Sequence, residues 1–193
     1  TNSPRQEKRN QRIFKNLMKI KPVILCGGSG TRLFPGFKNV PSKQFIDFSG
    51  WTLFEKTIER VKSKIFDTPI ISTNKIYLGL VLKTLKKKKI SKYKIVLEPS
   101  KKNTAAAIIT SSLLDEIKLD QPILFLPSDH FMPSTKVFNR ILCSSLKNLQ
   151  NKNIFIFGIK PKTPSSDYGY LLNKKIGKNV NKVVDFIEKP KKN

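Results

Sequence analysis

Histidine and tryptophan occur once each, and cysteine and methionine twice each, in these 193 residues. Cys26 and Cys143 fall in no metal-ligand spacing with each other or with His130, so a zinc site on any familiar pattern is excluded, as is a disulfide scaffold. So little cysteine fits a reducing compartment, and a cytoplasmic location is the expectation. No apolar run reaches bilayer-spanning length, and the basic opening segment lacks the apolar core of a secretory signal, so no membrane partner is expected. Acids are scarce: 13 Asp and Glu stand against 38 Lys and Arg, giving a formal net charge of +25. Such an excess invites a nucleic-acid reading, because clustered cations release counterions from a phosphate backbone. The excess, however, is mostly lysine scattered over helix faces, with one denser run at Lys86, Lys87, Lys88 and Lys89, and no RNP-like aromatic pattern, KH loop or zinc knuckle accompanies it. Solvated helix faces account for the charge, which would attract anionic metabolites and bind RNA only weakly; no specific nucleic-acid partner is expected.

What is present suffices for one folded domain. Hydrophobic residues make up 38%, and Gly and Pro are ordinary in number, which sets aside the disordered and collagen-like classes. Residues 1–20 are polar and basic and read as an extension without fixed structure, Met18 being a candidate start; residues 21–193 read as one domain. Short apolar runs at Pro22–Cys26, Pro69–Thr73, Lys94–Leu97 and Ile123–Leu126 are predicted strands. Between them Leu53–Ile65, Ile76–Lys87, Thr104–Ile117 and Lys136–Leu149 carry apolar residues at three- and four-residue intervals and are predicted helices. This alternation gives an α/β fold with a mostly parallel central sheet flanked by helices. Three strand-like runs without intervening helices, at 154–159, 168–172 and 182–187, predict that the sheet becomes mixed toward the C-terminus.

The first strand runs directly into Gly27, Gly28, Ser29, Gly30, Thr31 and Arg32. Glycines let backbone N–H groups approach a polyphosphate, and loops at strand C-terminal ends are where open α/β sheets bind ligands. Arg32 adds a planar cation suited to phosphate oxygens. A dinucleotide fingerprint would need a third glycine where Leu33 stands, and a Walker loop would need a Gly-Lys-Ser/Thr ending, so neither is supported.

Several blocks extend this signal in order. LCGGSGTRLFP and VPSKQF are followed by LEPSKKNTAAAI, LPSDH, YGYLL and FIEKP, together covering nearly everything from Lys21 onward. The series resembles the signature of the sugar-nucleotide pyrophosphorylases, in particular the bacterial mannose-1-phosphate guanylyltransferases, with Phe34, Ser42, Lys102 and Ala106 standing where that family usually has Trp, Pro, Arg and Pro.

The resemblance implies a Rossmann-like nucleotidyltransferase fold and transfer of GMP from GTP to mannose 1-phosphate, giving GDP-mannose and pyrophosphate. Arg32, Lys43 and Asp129 would then be catalytic, with Asp129 the ligand of a Mg²⁺ cofactor. Cys26, Gly27, Gly28, Gly30, Thr31, Asn103, Thr104 and Ser128 would bind the nucleotide. Gly169, Glu188 and Lys189 would bind the sugar phosphate. Read without the resemblance, Asp129 and Asn103 are equally helix caps, and Glu188 with Lys189 an exposed charge pair; His130 reads as packing or support. GTP and mannose 1-phosphate are the expected partners, and homo-oligomerisation is left open. Family members continue past FIEKP with more sheet and a second metal carboxylate, so the chain reads as C-terminally truncated and poorly active alone. A relative using another nucleotide, or a nucleotide-binding remnant, are the alternatives.

Overall fold

A computed structural model describes residues 19–28, 42–99, 104–146, 154–177 and 180–191. At its centre lies β1 (Lys21–Cys26), an almost uninterrupted buried run, as a strand covered on both faces should be. It pairs in parallel with β2 (Ile70–Asn74) on one side and β4 (Ile123–Pro127) on the other, and β2 pairs in parallel with β3 (Lys94–Glu98), giving the order β3-β2-β1-β4. Pro22 is tolerated here because the ladder to β2 begins only at Val23, while Lys21 N donates to Pro122 O on the β4 side at 2.8 Å.

Crossovers carry the chain from β1 through α1 (Leu53–Arg60) to β2, and through α2 (Leu78–Lys87) to β3, with α1 touching α2, as the right-handed rule for parallel connections requires of two helices on one face of the sheet. The next crossover, through α3 (Thr104–Ser112), returns over β2 and β1 to reach β4, which puts it on the opposite face. Strand order therefore reverses between β1 and β4, and in sheets of this kind the crevice at that reversal is the ligand-binding position. Val23, Ile24, Ile70 and Ile71 from the strands and Phe54, Ile58, Val81 and Leu85 from the helices are buried, the strand residues alternating between the two faces of the sheet.

Local chemistry sets the helix ends. Thr52 Oγ1 accepts from Glu55 N at 3.1 Å and caps α1. Helix α2 ends in a Schellman turn, with Ile90 N donating to Leu85 O at 3.0 Å and Lys89 N to Lys86 O at 3.1 Å; Lys89 takes the left-handed position at φ 53°. At the opposite rim from the β1–β4 crevice, Lys21 Nζ lies 2.8 Å from Asp67 Oδ2, and Gln121 Nε2 donates both to that carboxylate and to Lys19 O.

The predicted helices at 53–65 and 104–117 are longer than those found. Helix α1 stops at Arg60 because the chain must return to the sheet, where Ile20 bridges Phe66. Helix α3 stops at Ser112, whose hydroxyl bonds back to Ile108 O after a Thr-Ser-Ser run that favours caps and turns over helix interior.

The chain divides into two compact units, Thr1–Phe131 and Met132–Asn193. The second unit contains α4 (Thr135–Leu146) and an antiparallel pair, β5 (Tyr170–Lys175) and β6 (Asn181–Ile187), with a register shift between Leu172 and Asn173. Tyr170 ties the approach to this hairpin, its hydroxyl donating to Ser165 O at 2.9 Å and accepting from Ser165 N at 2.7 Å. The antiparallel pairing forms a sheet of its own, and the four-stranded sheet stays parallel throughout. The run at 154–159 is not a strand. An apolar run alone does not make one: a strand exists only where its backbone is paired, and here no ladder forms among the described residues, with Ile154 92% and Ile159 91% exposed.

Candidate active site

The loops leaving β1 and β4 meet at the point where strand order reverses. Gly27 and Gly28 follow β1, and their carbonyls are held from below. Asn74 Nδ2, at the tip of β2, donates to Gly27 O at 3.2 Å, and Gln44 Nε2 donates to Gly28 O at 3.2 Å. Ser42 Oγ lies 2.6 Å from Gly28 O and 2.7 Å from Gln44 Oε1, so its single proton serves one acceptor at a time. These bonds pin the short 3-10 turn Lys43–Phe45 beside the end of β1, with Gln44 and Phe45 buried and Lys43 left at the surface.

Lys43 Nζ stands 3.6 Å from Asp129 Oδ2, with the two side chains 32% and 38% exposed. Asp129 reaches this position because the turn Ser128–His130 follows β4 directly and Ser128 N donates to Leu25 O at 3.1 Å, extending the ladder one residue past the strand. Two of the three residues predicted to be catalytic are thus brought together. Arg32, the third, lies outside the described residues, as do Gly30, Thr31 and Asn103.

Two nucleotide-site expectations are revised by burial. Cys26 has no exposed surface, and its carbonyl accepts from Thr73 Oγ1 at 3.2 Å, so its side chain faces the interior and not a ligand. Burial pushes the thiol up to about 12 against the opposing hydrogen bonds of Ser128, Gln44 and Thr73. Ser128 is likewise buried, its side chain turned to that thiol. Both support the loop from beneath. Thr104 opens α3 and is exposed. His130 is neither packed nor enclosed: its ring is 56% exposed, with Nε2 3.9 Å from Asp129 Oδ1.

One residue beside this loop was not predicted from the sequence. Glu98, the last residue of β3, leans across the tip of β2 until its carboxylate meets Gly27: a Cβ on Gly27 would lie 2.9 Å from Glu98 Oε2. Ser72 Oγ donates to Glu98 Oε1 at 2.6 Å and fixes it there. The signal available was an acidic residue ending an otherwise apolar strand, inside the LEPSKKNTAAAI block whose later Asn103 and Thr104 drew the attention.

In the second unit, the three residues assigned to the sugar phosphate also converge. A Cβ on Gly169 would lie 2.5 Å from Phe186 Cζ and 2.9 Å from Glu188 Oε2, so a larger residue there requires those two exposed side chains to move aside. Lys189 N donates to Tyr168 O at 3.2 Å, and Lys189 Nζ lies 3.6 Å from Glu188 Oε1.

The nucleotidyl transferase family model matches residues 21–193. The chain belongs to the nucleotidyl transferase family. It is 35% identical over 179 residues to the mannose-1-phosphate guanylyltransferase of Sinorhizobium fredii (strain NBRC 101917 / NGR234), covering 90% of this chain and 35% of that protein. It is 34% identical over 174 residues to the alginate biosynthesis protein AlgA of Pseudomonas fluorescens, covering 88% of this chain and 36% of that protein. A crystal structure of mannose-6-phosphate isomerase from Helicobacter pylori superposes with a TM-score of 0.72 at 27% identity, over 90% of this chain and 61% of that one. The chain spans about a third of the length of the curated relatives it matches. Membership of the nucleotidyl transferase family accords with a parallel sheet whose β1 and β4 loops carry a lysine and an aspartate into one crevice. Among the described residues no helix is long and apolar enough to cross a membrane.

A divalent cation can be tested against the donors of this nucleotidyl transferase site. Among the described residues no group of three or more His, Cys, Asp or Glu side chains gathers, so no cage made wholly of protein ligands exists there. Asp129 offers hard carboxylate oxygens at a half-open rim, which fits Mg²⁺, an ion commonly held by one or two carboxylates with substrate phosphates completing the shell.

Proposed function

We propose that this chain is the nucleotide-binding part of a mannose-1-phosphate guanylyltransferase, which transfers GMP from GTP to mannose 1-phosphate and releases pyrophosphate. The observation that carries the reading is the approach of Lys43 to Asp129, 3.6 Å apart at the strand reversal beside Gly27 and Gly28. The names of the relatives support the substrates.

A phosphate oxygen of mannose 1-phosphate attacks the α-phosphorus of GTP; the new P–O bond forms as the bond to the β-phosphate oxygen breaks, and pyrophosphate leaves with that electron pair. Such a transfer needs alignment and charge neutralisation more than covalent help. Lys43 is placed to leave Asp129 for the α-phosphate, where a point cation stabilises the charge that builds during the displacement. Asp129 would hold Mg²⁺, which supplies Lewis-acid neutralisation of the triphosphate when bound. Arg32 takes the leaving phosphates in this reading, and Asn103 and Thr104 the nucleoside. Glu98 bears on base choice: guanine presents N1–H and N2–H donors side by side, and a carboxylate fixed by Ser72 against Gly27 is an acceptor for them. Gly169, Glu188 and Lys189 take the sugar, its hydroxyls and its phosphate.

Calorimetric titration of the chain with GTP, dTTP, UTP and CTP in Mg²⁺ tests the assignment. GTP is expected to bind at least tenfold more tightly than the other three, and Glu98→Gln to erase most of that preference. A preference for any other nucleotide removes the guanylyl reading and leaves a nucleotidyltransferase of different substrate choice.

A further inference from the structure

Helix α1 carries two polar side chains that the chemistry above does not use. Thr57 is 0% exposed and Arg60 1%, and their three-residue spacing puts them on one face of the helix. Enclosing a guanidinium costs several kcal/mol, a cost an apolar residue of similar length would avoid. Both side chains reach one turn about seventy residues away. Arg60 Nη2 donates to His130 O at 3.3 Å, while Thr57 Oγ1 shares its proton between Leu53 O at 3.0 Å and Ser128 O at 3.5 Å. Asp129 sits between the two carbonyls so held, and Ser128 N is itself tied to Leu25 O. The residue at the middle of this turn has its backbone fixed on either side and its carboxylate alone turned to the rim.

We propose that Arg60, assisted by Thr57, is a positioning residue that fixes the Ser128–His130 turn so that the Asp129 carboxylate stands ready for the cation accompanying the triphosphate. This rests on the reading of Asp129 as the metal ligand. Arginine suits the task because its planar fork of donors holds a carbonyl in a set direction, which a flexible lysine ammonium does not. Side chains that orient a metal ligand from behind typically alter metal affinity 10- to 100-fold when removed.

The test compares GTP binding in Mg²⁺ and in EDTA, together with amide hydrogen exchange across residues 127–131 of the metal-free chain. In the unsubstituted protein Mg²⁺ is expected to strengthen GTP binding, and Asp129→Asn to abolish that gain without changing the exchange. Arg60→Met is expected to reduce the gain about tenfold, to leave Mg²⁺-free GTP binding within about twofold, and to speed exchange of the turn about tenfold. Thr57→Val, which exchanges the hydroxyl for a methyl group of similar size, is expected to do the same more weakly, and Thr57→Ser to keep both readouts as in the unsubstituted protein; this pair decides the matter if Arg60→Met does not fold. The proposal is overturned if Arg60→Met and Thr57→Val keep the full Mg²⁺ gain and slow exchange, or if Mg²⁺-free binding falls in equal measure. If Asp129→Asn leaves the gain intact, the metal reading fails instead, and the exchange rates alone still decide whether Arg60 and Thr57 hold the turn.

Discussion

Gly27→Ala places a methyl group where the structure has a carboxylate. The new Cβ would stand 2.9 Å from Glu98 Oε2, 3.1 Å from Oε1 and 3.2 Å from Cδ, so something must move by several tenths of an ångström. Backbone conformation is no obstacle, because Gly27 does not occupy the left-handed region, and alanine there should gain ~0.4–1 kcal/mol by restricting the unfolded chain. The flexible partner is Glu98, yet it can retreat only by stretching or losing its 2.6 Å bond from Ser72 Oγ. A hydrogen bond to a charged group contributes about 1.5–3 kcal/mol, and less at this half-buried rim. The net expectation is a loss of about 1 kcal/mol, or a Tm lower by about 2–4 °C for a chain of this size. On the proposed guanylyl reading a displaced Glu98 would no longer meet the guanine edge, so GTP affinity should fall about tenfold, the equivalent of ~1.4 kcal/mol. Thermal unfolding and calorimetric GTP titration measure the two effects, and a double-mutant cycle assigns them. In a Glu98→Ala background the same Gly27→Ala change should cost nothing in either assay, because the obstructing carboxylate is gone. Equal losses in both backgrounds, or unaltered GTP binding by Gly27→Ala alone, would refute the reasoning.

Three further outcomes follow from other parts of the first unit. Lys89→Gly should raise stability by about 0.5–1 kcal/mol in chemical denaturation, because Lys89 holds a left-handed φ of 53° that glycine adopts without penalty. Burial would raise the Asp67 carboxyl, but hydrogen bonds from Lys21 and Gln121 outweigh it and hold the group at about 2, below its ordinary 3.8. The stability it contributes is therefore present above pH ~4 and lost as pH falls toward ~2, and Asp67→Asn should flatten the acid limb of the unfolding curve in that window. Cys26, pushed up to about 12 by burial, should resist iodoacetamide at pH 8 in the native protein and react only after unfolding. Because its folded value exceeds the ordinary 9.0, its contribution to stability should decline as pH rises above ~9.

The parallel sheet was legible because its strands are continuous apolar runs separated by helix-period segments, and four predicted strands fall within a residue of those found. Where the reading failed, pairing rather than composition decided. Residues 154–159 are a continuous apolar run but find no ladder partner among the described residues, and a strand is a relation between two segments that one segment cannot declare. Lys43 and Asp129 were recognisable as chemistry-bearing residues at loop positions, yet their proximity is a product of the β1–β4 reversal, which periodicity does not encode. Cys26 was placed with the nucleotide because it adjoins the glycines; one residue along a strand turns a side chain to the other side, and it faces inward. Glu98 and Arg60 were hidden for opposite reasons. The first looked like an ordinary charged strand end, and the second like a solvated helix cation among many, although it is almost completely enclosed.

The ion pair between Lys43 and Asp129 has a consequence for how ligand is acquired. The two opposite charges face each other across 3.6 Å, so each offsets part of the other's field at the rim. On the proposed function, accommodating a magnesium–nucleotide complex would be a swap of companions, the ammonium going to phosphate and the carboxylate to the cation, with the one existing attraction given up for the two new ones. Affinity should respond to added salt less steeply than a tally of nearby lysines implies, and removing either charge alone should liberate the other to attract ions of the wrong sign.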